Sequence, residues 1–379
     1  MARTTSAPVK VSRAQVIAHR VAAQGLHRTA RSVSRLAVLD IGVQDASSEL
    51  ARLSFDARLS HAAPPDGIGP GEQLALVWSL RGAPHVHRRK DLDALAGALY
   101  PLSEADATGR LNETGPSVAR AGIAALEQFE LAVEALRAVV RKPTEKGAAS
   151  TAVTKRIPDV MGRNCRGCKA VHISDSAMRL AALAAGLELE PGTAPPVLHR
   201  RPGARVAKRV DARALRRLIR AYLVLLGPAT QGDVAGYLDA RRADIEAVWP
   251  DGLEEVSLDG RTAWLPAKEV GALTSAPPPE MVRLLGAFDP YLQARDRAVI
   301  VPDKALHKIL WPVMGRPGVL FVDGEVAGTW RPKSAGKKLT VKVEAFAPLP
   351  PSTWTAIEAE AERVAAVRSA DDVAVTRVE

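Results

Sequence analysis

The chain has 379 residues, of which 47% are hydrophobic, so it is long and apolar enough to bury real cores and is not a disordered protein. Lys and Arg number 52 against 42 for Asp and Glu, which gives a formal net charge of +10. Such an excess favours a polyanionic partner, although a basic protein without one is the alternative. No run of eighteen apolar residues occurs, and the first ten residues lack an apolar segment of signal-peptide length. We therefore expect a cytoplasmic, nucleoid-associated protein with no membrane contact.

Residues 10–100 are predicted to form a first winged-helix domain. Apolar residues at helical spacing predict a helix over Ser12–Gln24, a second run over Ser32–Leu39 and a third helix over about Ser47–Leu59. Alternation then predicts a strand over Gln73–Leu80, followed by the basic segment Arg81–Lys90. Three helices, a strand and a basic wing follow one another in the order of a winged helix.

Residues 101–198 are predicted to form a second, winged-helix-like domain around one long helix. That helix is expected over Ser117–Arg141, where apolar residues recur three and four positions apart. A shorter helix is predicted over Ser176–Ala185, with Ser174 or Asp175 as its N-cap.

Residues 199–276 are predicted to form a third winged-helix domain. A basic linker leads to a helix that stops at Gly227-Pro228, and Thr230 is placed to cap the next helix. A third helix over Arg241–Val248 and a hairpin turning at Asp259-Gly260 complete the domain.

Residues 280–349 change to a β pattern, and residues 350–379 to a C-terminal helix. Strands are predicted over Ala298–Val301, Val319–Val322, Val326–Trp330 and Lys338–Phe346, and the last helix over Ser352–Val367. The expected fold class is therefore α+β, with tandem winged-helix domains followed by a small antiparallel β-barrel.

Five segments carry a resemblance to a known family. They are Gly42-Val43-Gln44, Ala57-Arg58-Leu59, Trp78-Ser79-Leu80-Arg81-Gly82-Ala83-Pro84-His85, Gly286-Ala287-Phe288-Asp289-Pro290-Tyr291, and Val322-Asp323-Gly324-Glu325-Val326-Ala327-Gly328-Thr329-Trp330-Arg331. Together they resemble the AlkZ-like winged-helix DNA glycosylases over nearly the whole chain. The resemblance implies a C-shaped clamp on double-stranded DNA and monofunctional excision of cationic N-alkylated purines, crosslinked ones included. We further expect a monomer that needs neither a cofactor nor an obligate protein partner.

The candidate catalytic residues are Gln44 and Asp45, at the turn that follows the apolar residues Leu39, Ile41 and Val43. A glutamine can orient a water molecule, and an aspartate can stabilise an oxocarbenium-like sugar. The family motif is glutamine, any residue, then glutamine or aspartate. Gln44 matches its first position, whereas Ala46 occupies the third.

The departure at Ala46 leaves several alternatives open. Asp45 supplies the missing oxygen from a shifted backbone, or Gln44 acts with another group, or the chemistry is altered or absent. Asp45 as a helix N-cap, and Gln44 as an ordinary turn residue, are the structural alternatives.

Two basic segments are candidate DNA-binding sites. The first consists of Arg81, His85, His87, Arg88, Arg89 and Lys90, which could grip phosphates or enter a groove, or could be a solvated strand end. The second, here called the linker cluster, consists of Arg205, Lys208 and Arg209 and could equally be a solvated face.

Cys165, Cys168 and His172 have the spacing of zinc ligands at one end of a site. A structural zinc site takes four ligands, and no fourth lies nearby in the sequence. We therefore expect two buried thiols and no metal, with a zinc site as the alternative.

These observations favour a monofunctional DNA glycosylase for N-alkylated purines. The rival is a non-catalytic DNA-binding protein, a transcriptional regulator or architectural factor, and Ala46 is the residue in its favour.

Overall fold

The computed structural model describes residues 7–47, 49–62, 67–111, 115–165 and 167–378. Residues 1–6 lie outside the described part of the chain. The expected absence of a signal peptide rests in part on them. The described residues form a mixed α+β fold with sheets of six, five, three and two strands. The predicted α+β class is confirmed, and the C-shaped arrangement stays a prediction.

The N-terminal segment supplies the strands of the six-stranded sheet that carry the Gln44 turn. Its elements are β1 (Val9–Val11), α1 (Arg13–Ala23), β2 (Val43–Gln44), α2 (Leu50–Asp56), β3 (Leu74–Trp78), β4 (Pro84–Arg88) and α3 (Leu92–Ala98). The first predicted helix is confirmed and begins at a capping box between Ser12 and Gln15. The second predicted run forms two short 3-10 turns, Val33–Arg35 and Ala37–Asp40.

The next segment adds the other strands of this sheet, whose order is β2-β4-β3-β8-β9-β5. Its elements are α4 (Glu104–Arg110), α5 (Gly115–Arg120), α6 (Ala125–Val139), β5 (Thr144–Glu145), α7 (Lys146–Thr154), β6 (Gly162–Cys165), β7 (Ala170–Ile173), α8 (Asp175–Ala184), β8 (Leu187–Leu189) and β9 (Val197–Arg200). The single long helix predicted here is wrong, because Gly122 has a φ of +78° and separates α5 from α6. Ser174 caps α8 as predicted.

Residues 212–275 follow the predicted element order closely. They form α9 (Ala212–Leu226), α10 (Gln231–Leu238), α11 (Arg242–Ala247), β10 (Leu253–Leu258), β11 (Arg261–Pro266) and α12 (Val270–Ser275). Thr230 caps α10 through a capping box with Asp233, as expected. The hairpin gains a third strand because β1 pairs in parallel with β10. The winged-helix assignments and the domain boundaries remain predictions.

The predicted β-barrel is wrong: the last strands form an open five-stranded sheet. The elements are β12 (Val282–Leu285), α13 (Arg297–Ile300), α14 (His307–Leu310), β13 (Gly318–Val322), β14 (Glu325–Ala335), β15 (Lys338–Ala345), α15 (Pro351–Val367) and β16 (Asp372–Arg377). The sheet runs β12-β13-β14-β15-β16, and β16 joins β15 in parallel after the chain returns through α15. Helix α15 packs its apolar residues on this sheet, whose two edge strands are β12 and β16. The strand predicted over Ala298–Val301 is helix α13 for most of its length.

Two buried ion pairs join the N-terminal segment to residues 289–296. Arg58, just after α2, donates two hydrogen bonds of 2.8 Å to Asp289, and both side chains have no exposed surface. Arg20 of α1 donates bonds of 3.0 and 2.6 Å to Asp296. Removing one partner of such a buried pair costs about 3–5 kcal/mol, because the other charge is left unpaired. These pairs therefore fix the 289–296 segment against α1 and α2, beside the Gln44 turn.

Candidate functional site

Gln44 ends the short edge strand β2 and is held by main-chain pairing. It lies opposite His85 of β4, and the Asp45 N–H donates to the Pro84 carbonyl at 2.9 Å. Gly42, before the strand, has a φ of +80°, and a Cβ there would lie 2.3 Å from the His87 ring. Only glycine fits both the backbone angle and the space, so the glycine that precedes Val43 and Gln44 is required for steric reasons.

The Gln44 side chain faces an open cleft of about 250 Å³. Within the described residues its amide has no hydrogen-bond partner, so both its oxygen and its nitrogen are available to a substrate or a water molecule. The other residues that line the cleft come from the turn before β4 and from residues 288–316: Arg81, Ala83, Phe288, Leu292, Gln293, Ala294, Arg295, Arg297, Trp311 and Arg316.

Four of these lining residues, Arg81, Arg295, Arg297 and Arg316, are here called the cleft arginines. None of them forms an ion pair with a carboxylate among the residues that the structure describes. Burial, and then repulsion by neighbouring arginines, lowers the pKa of Arg297 and Arg316. Burial also lowers the pKa of Arg81. The cleft thus holds several positive charges without a counter-charge, which is the electrostatic condition of a phosphate-binding surface.

Two aromatic rings in the cleft are covered by cleft arginines. The Arg316 guanidinium lies 4.6 Å from the centre of the Phe288 ring, and that of Arg297 lies 4.9 Å from the centre of the Trp311 ring. These stacked pairs orient the guanidinium groups without neutralising them.

A second glutamine, Gln293, lies in the same cleft. It ends the 3-10 helix Pro290–Gln293, which Asp289 caps by accepting the Tyr291 N–H at 2.9 Å. The Gln293 Nε2 atom is buried and has no hydrogen-bond partner among the described residues. A buried unpaired amide costs about 1–3 kcal/mol, so its retention in a cleft suggests a role with a bound molecule.

The other candidate catalytic residue, Asp45, does not line the cleft. It is buried, and its Oδ1 accepts the Ala51 N–H at 3.2 Å in the first turn of α2. Burial raises the pKa of Asp45, while the N–H groups of Ala51 and Leu50 oppose the rise. Asp45 thus accepts an N–H from the first turn of α2 as in the helix-capping alternative, although the N-cap position itself is Glu49, whose side chain makes no capping bond among the described residues. Ala46, at the third motif position, is exposed.

The structure places His85 and His87 inside the protein, at 2% and 3% exposure. The Nδ1 atom of His85 is 2.9 Å from the Ala83 carbonyl, and Nε2 of His87 is 3.0 Å from the Ser79 hydroxyl. Burial, with a smaller contribution from the charge of Arg88, lowers the pKa of His87 to about 3. Burial likewise lowers the pKa of His85 well below its ordinary value. Neutral, buried imidazoles do not contact phosphates, so the structure does not support that predicted role for these two residues.

The remaining basic residues of this segment divide into paired and exposed side chains. Arg88 binds Asp40 and two backbone carbonyls, and Arg89 binds Glu188 at 2.8 Å. Both are thereby tied into the fold, whereas Lys90 is exposed. Of the six predicted binders in this segment, Arg81 is the one that the structure brings into the cleft with Gln44.

The linker cluster lies between β9 and α9, outside the residues that line the Gln44 cleft. Its neighbour Arg201 is buried and binds Asp93 at 3.0 Å, which ties the start of this segment to α3. The contact of the linker cluster with DNA stays a prediction.

The side chains of Cys165, Cys168 and His172 come together at the tip of the β6–β7 hairpin. One ligand atom from each lies within 4.8 Å of the others. Hydrogen bonds from Cys168, and a further one from His172, lower the pKa of the Cys165 thiol to about 6.

Of the described lining residues, only Gln44 and Arg81 were predicted as site residues from the sequence, and the polar and charged residues missed are Gln293, Arg295, Arg297 and Arg316, beside the aromatic Trp311. The available signal was weak: three arginines within about twenty residues of a segment that resembles the family at Phe288. Their convergence on Gln44 depends on long-range packing that no local pattern reveals.

Unneutralised arginines around a free side-chain amide are typical of a protein that binds nucleic acid. The family described as DNA glycosylase AlkZ-like matches residues 33–367. The chain therefore belongs to the AlkZ-like DNA glycosylase family, which makes it a DNA repair enzyme, a hydrolase whose partner is DNA.

The fold is similar to that of a solved structure, Streptomyces sahachiroi DNA glycosylase AlkZ. The TM-score is 0.74 at 21% sequence identity, and the match covers 98% of this chain and 100% of that chain. No curated protein matches the chain. Within the described residues, no helix combines the length and apolarity needed to cross a bilayer.

Proposed function

We propose that the protein is a monofunctional glycosylase that excises cationic, N-alkylated purines from double-stranded DNA. The observation that carries this proposal is the free amide of Gln44 in a cleft lined by arginines. The arginines suit the DNA backbone, and the amide suits a water molecule beside the scissile bond.

The proposed reaction requires little acid catalysis from the protein. A purine alkylated at N3 or N7 carries a positive charge, so it leaves without protonation once the bond from C1′ to the base nitrogen breaks. The bonding electron pair returns to the purine and neutralises it, water adds to C1′, and the water proton goes to solvent. The enzyme must hold that water and tolerate an oxocarbenium-like sugar, and the Gln44 oxygen can accept a hydrogen bond from the water.

Gln293 is our candidate for the second amide, which Ala46 cannot supply. It lines the same cleft as Gln44, and its buried Nε2 lacks a partner within the described residues. Gln44 as water acceptor and Gln293 as a donor would bind one water molecule between them. This arrangement corresponds to the alternative in which Gln44 acts with another group, and Gln293 would be that group.

The composition of the cleft supports a monofunctional reaction. A glycosylase that also cleaves the strand through a Schiff base needs an amine nucleophile, and no lysine is among the described lining residues. The open form of the cleft suits bulky or crosslinked adducts, which are reached from a groove more easily than by flipping the base into an enclosed pocket.

One observation favours the rival, a DNA-binding protein without chemistry. Among the described residues that line the cleft there is no carboxylate to stabilise a sugar cation. In the glycosylase proposal the phosphates of the bound strand supply that negative charge.

The test is incubation with a duplex that carries one N7- or N3-alkylpurine, followed by alkali cleavage at abasic sites. We expect strand cleavage with the wild type, and a single-turnover rate about 10²–10³-fold lower in Gln44→Ala, the usual cost of one positioned amide. Gln73→Ala, which removes an exposed glutamine outside the cleft, is the matched control and should keep the wild-type rate. Tight DNA binding without excision by the wild type would establish the rival function.

A further inference from the structure

The β6–β7 hairpin carries a cluster of side chains that the proposed glycosylase reaction does not use. Cys165 ends β6, Cys168 lies in the turn, and His172 lies on β7. The nearest ligand atoms of all three lie within 4.8 Å of one another. A zinc ion bonded to two sulfurs at about 2.3 Å and one nitrogen at about 2.0 Å requires ligand atoms this close.

The register of the hairpin explains why the three side chains share a face. Cys165 pairs with Ala170, and Arg163 pairs with His172, so Cys165 and His172 are diagonal neighbours on one side of the two strands. The turn then brings Cys168 back toward that side. The spacing of the motif and the strand register therefore point to the same place.

The backbone of the turn is arranged around the first sulfur. The N–H groups of Gly167 and Cys168 both donate to Cys165, and the Ala170 N–H donates to Cys168. Lys169 adopts a left-handed φ of +51°, a conformation that costs energy in a residue with a side chain. Successive N–H groups that converge on one point form a concave anion site of the kind that holds thiolates at metal centres.

The imidazole is also oriented for a ligand. His172 Nδ1 lies 2.7 Å from the Ile173 carbonyl, which fixes the proton on Nδ1 and leaves the lone pair on Nε2. Metal-binding histidines are commonly oriented by this kind of bond from the other ring nitrogen to a backbone carbonyl.

We propose that Cys165, Cys168 and His172 bind one Zn²⁺ ion, with water as the fourth ligand. Two thiolates and one imidazole are the ligand set that selects zinc over hard cations such as Mg²⁺. The expectation of no metal rested on the lack of a fourth protein ligand, which a water molecule replaces.

The proposed ion would tie the turn of the hairpin to β7. Within the described residues, β6 and β7 form a sheet of two strands that no third strand extends. An isolated pair of strands is only marginally stable, so an ion that bridges the turn to β7 would hold its tip in one conformation.

The test uses the full chain, reduced, stripped of metal with a chelator and then titrated with Zn²⁺ or Co²⁺. We expect about one equivalent of Zn²⁺ per chain, and a thiolate-to-metal absorption band with Co²⁺. Both should disappear in the double variant Cys165→Ser/Cys168→Ser. His172→Ala should weaken binding by at least tenfold, because even indirect partners of a ligand contribute about 10–100-fold.

A control and a second measurement separate this site from a disulfide and from surface binding. His199→Ala, which removes a surface imidazole 2.9 Å from Glu190, should bind Zn²⁺ like the wild type. Amide hydrogen exchange in residues 162–173 should slow with Zn²⁺ in the wild type and not in the double variant. The proposal is overturned if the reduced wild type shows no saturable binding, or if the double variant binds Zn²⁺ equally well. Either result is independent of glycosylase activity.

Discussion

Replacement of Gln293 by methionine should slow base excision without destabilising the protein. Methionine keeps the length of the side chain and removes its amide, whose Nε2 is buried without a partner in the described part of the chain. An unsatisfied buried amide costs about 1–3 kcal/mol, so an apolar side chain of similar shape should leave the melting temperature unchanged or raise it. Most substitutions at partly buried positions instead lower the melting temperature.

The expected kinetic effect is smaller than that of Gln44→Ala, because we assign Gln293 only a supporting hydrogen bond to the attacking water, whereas Gln44 accepts the hydrogen bond that strengthens in the transition state. A neutral hydrogen bond contributes about 0.5–1.5 kcal/mol, and each 1.36 kcal/mol corresponds to about a tenfold change in rate. We therefore expect the single-turnover rate of Gln293→Met to fall by about tenfold, with DNA affinity unchanged. If Gln44 and Gln293 hold the same water, the double variant should lose less than the product of the two single effects.

The assay is excision under single-turnover conditions at saturating enzyme, beside thermal melting of the same preparations. A wild-type rate in Gln293→Met would remove Gln293 from the reaction. A melting temperature several degrees lower, with the rate restored on cooling, would show that the amide has a structural partner and would refute the argument from burial.

Three further predictions concern charged groups, two of them through DNA binding and the third through Asp45. The variant Arg297→Ala/Arg316→Ala should flatten the salt dependence of DNA binding, by about 0.9 in the slope of log K against log salt for each phosphate that is no longer neutralised. The same titration on a variant with the linker cluster neutralised should also flatten the slope, and an unchanged slope would assign that cluster to a solvated face. For Asp45, burial raises the pKa above its ordinary value of 3.8, so the folded state holds this proton more tightly than the unfolded state. Its stabilising contribution is full below that ordinary value and is lost as the pH rises through the folded pKa. Asp45→Asn still accepts the Ala51 N–H, so near neutral pH its melting temperature should match or exceed that of the wild type, at an unchanged excision rate. A rate loss of about a hundredfold or more, the size expected for Gln44→Ala, would return Asp45 to the catalytic machinery.

Features set by local chemistry were predictable from the sequence. The Gly227-Pro228 stop, the Thr230 cap and the Asp259-Gly260 turn defined α9, α10 and the following hairpin, because each signal acts within a few residues. The family resemblance found Gln44 for a related reason. Its lead-in contains Gly42, whose left-handed backbone and close approach to His87 admit no other residue.

Features set by long-range packing were not predictable in the same way. The strand β16 pairs in parallel with β15 after the chain returns through α15, and no local pattern reveals that pairing or the fact that the sheet stays open. Gln293 reaches the cleft because Asp289, four residues earlier, is held by Arg58 from the other end of the chain. The burial of His85 and His87 was not predictable from charge either. A run of basic residues in the sequence does not show which face of the strand points into the core.

The charges around the cleft explain why a neutral amide suits the position of Gln44. Arg20 and Arg58 each have a buried carboxylate partner, whereas the cleft arginines have none among the described residues. Burial, together with repulsion among them, lowers the pKa of Arg316, so the unbound cleft is electrostatically strained until a polyanion enters it. A carboxylate at the position of Gln44 would relieve that strain by pairing with an arginine, and it would then be held away from the water. In the proposed reaction, the uncharged amide would leave the arginines to the phosphates and keep its own oxygen for the attacking water, so DNA binding and water positioning would not compete.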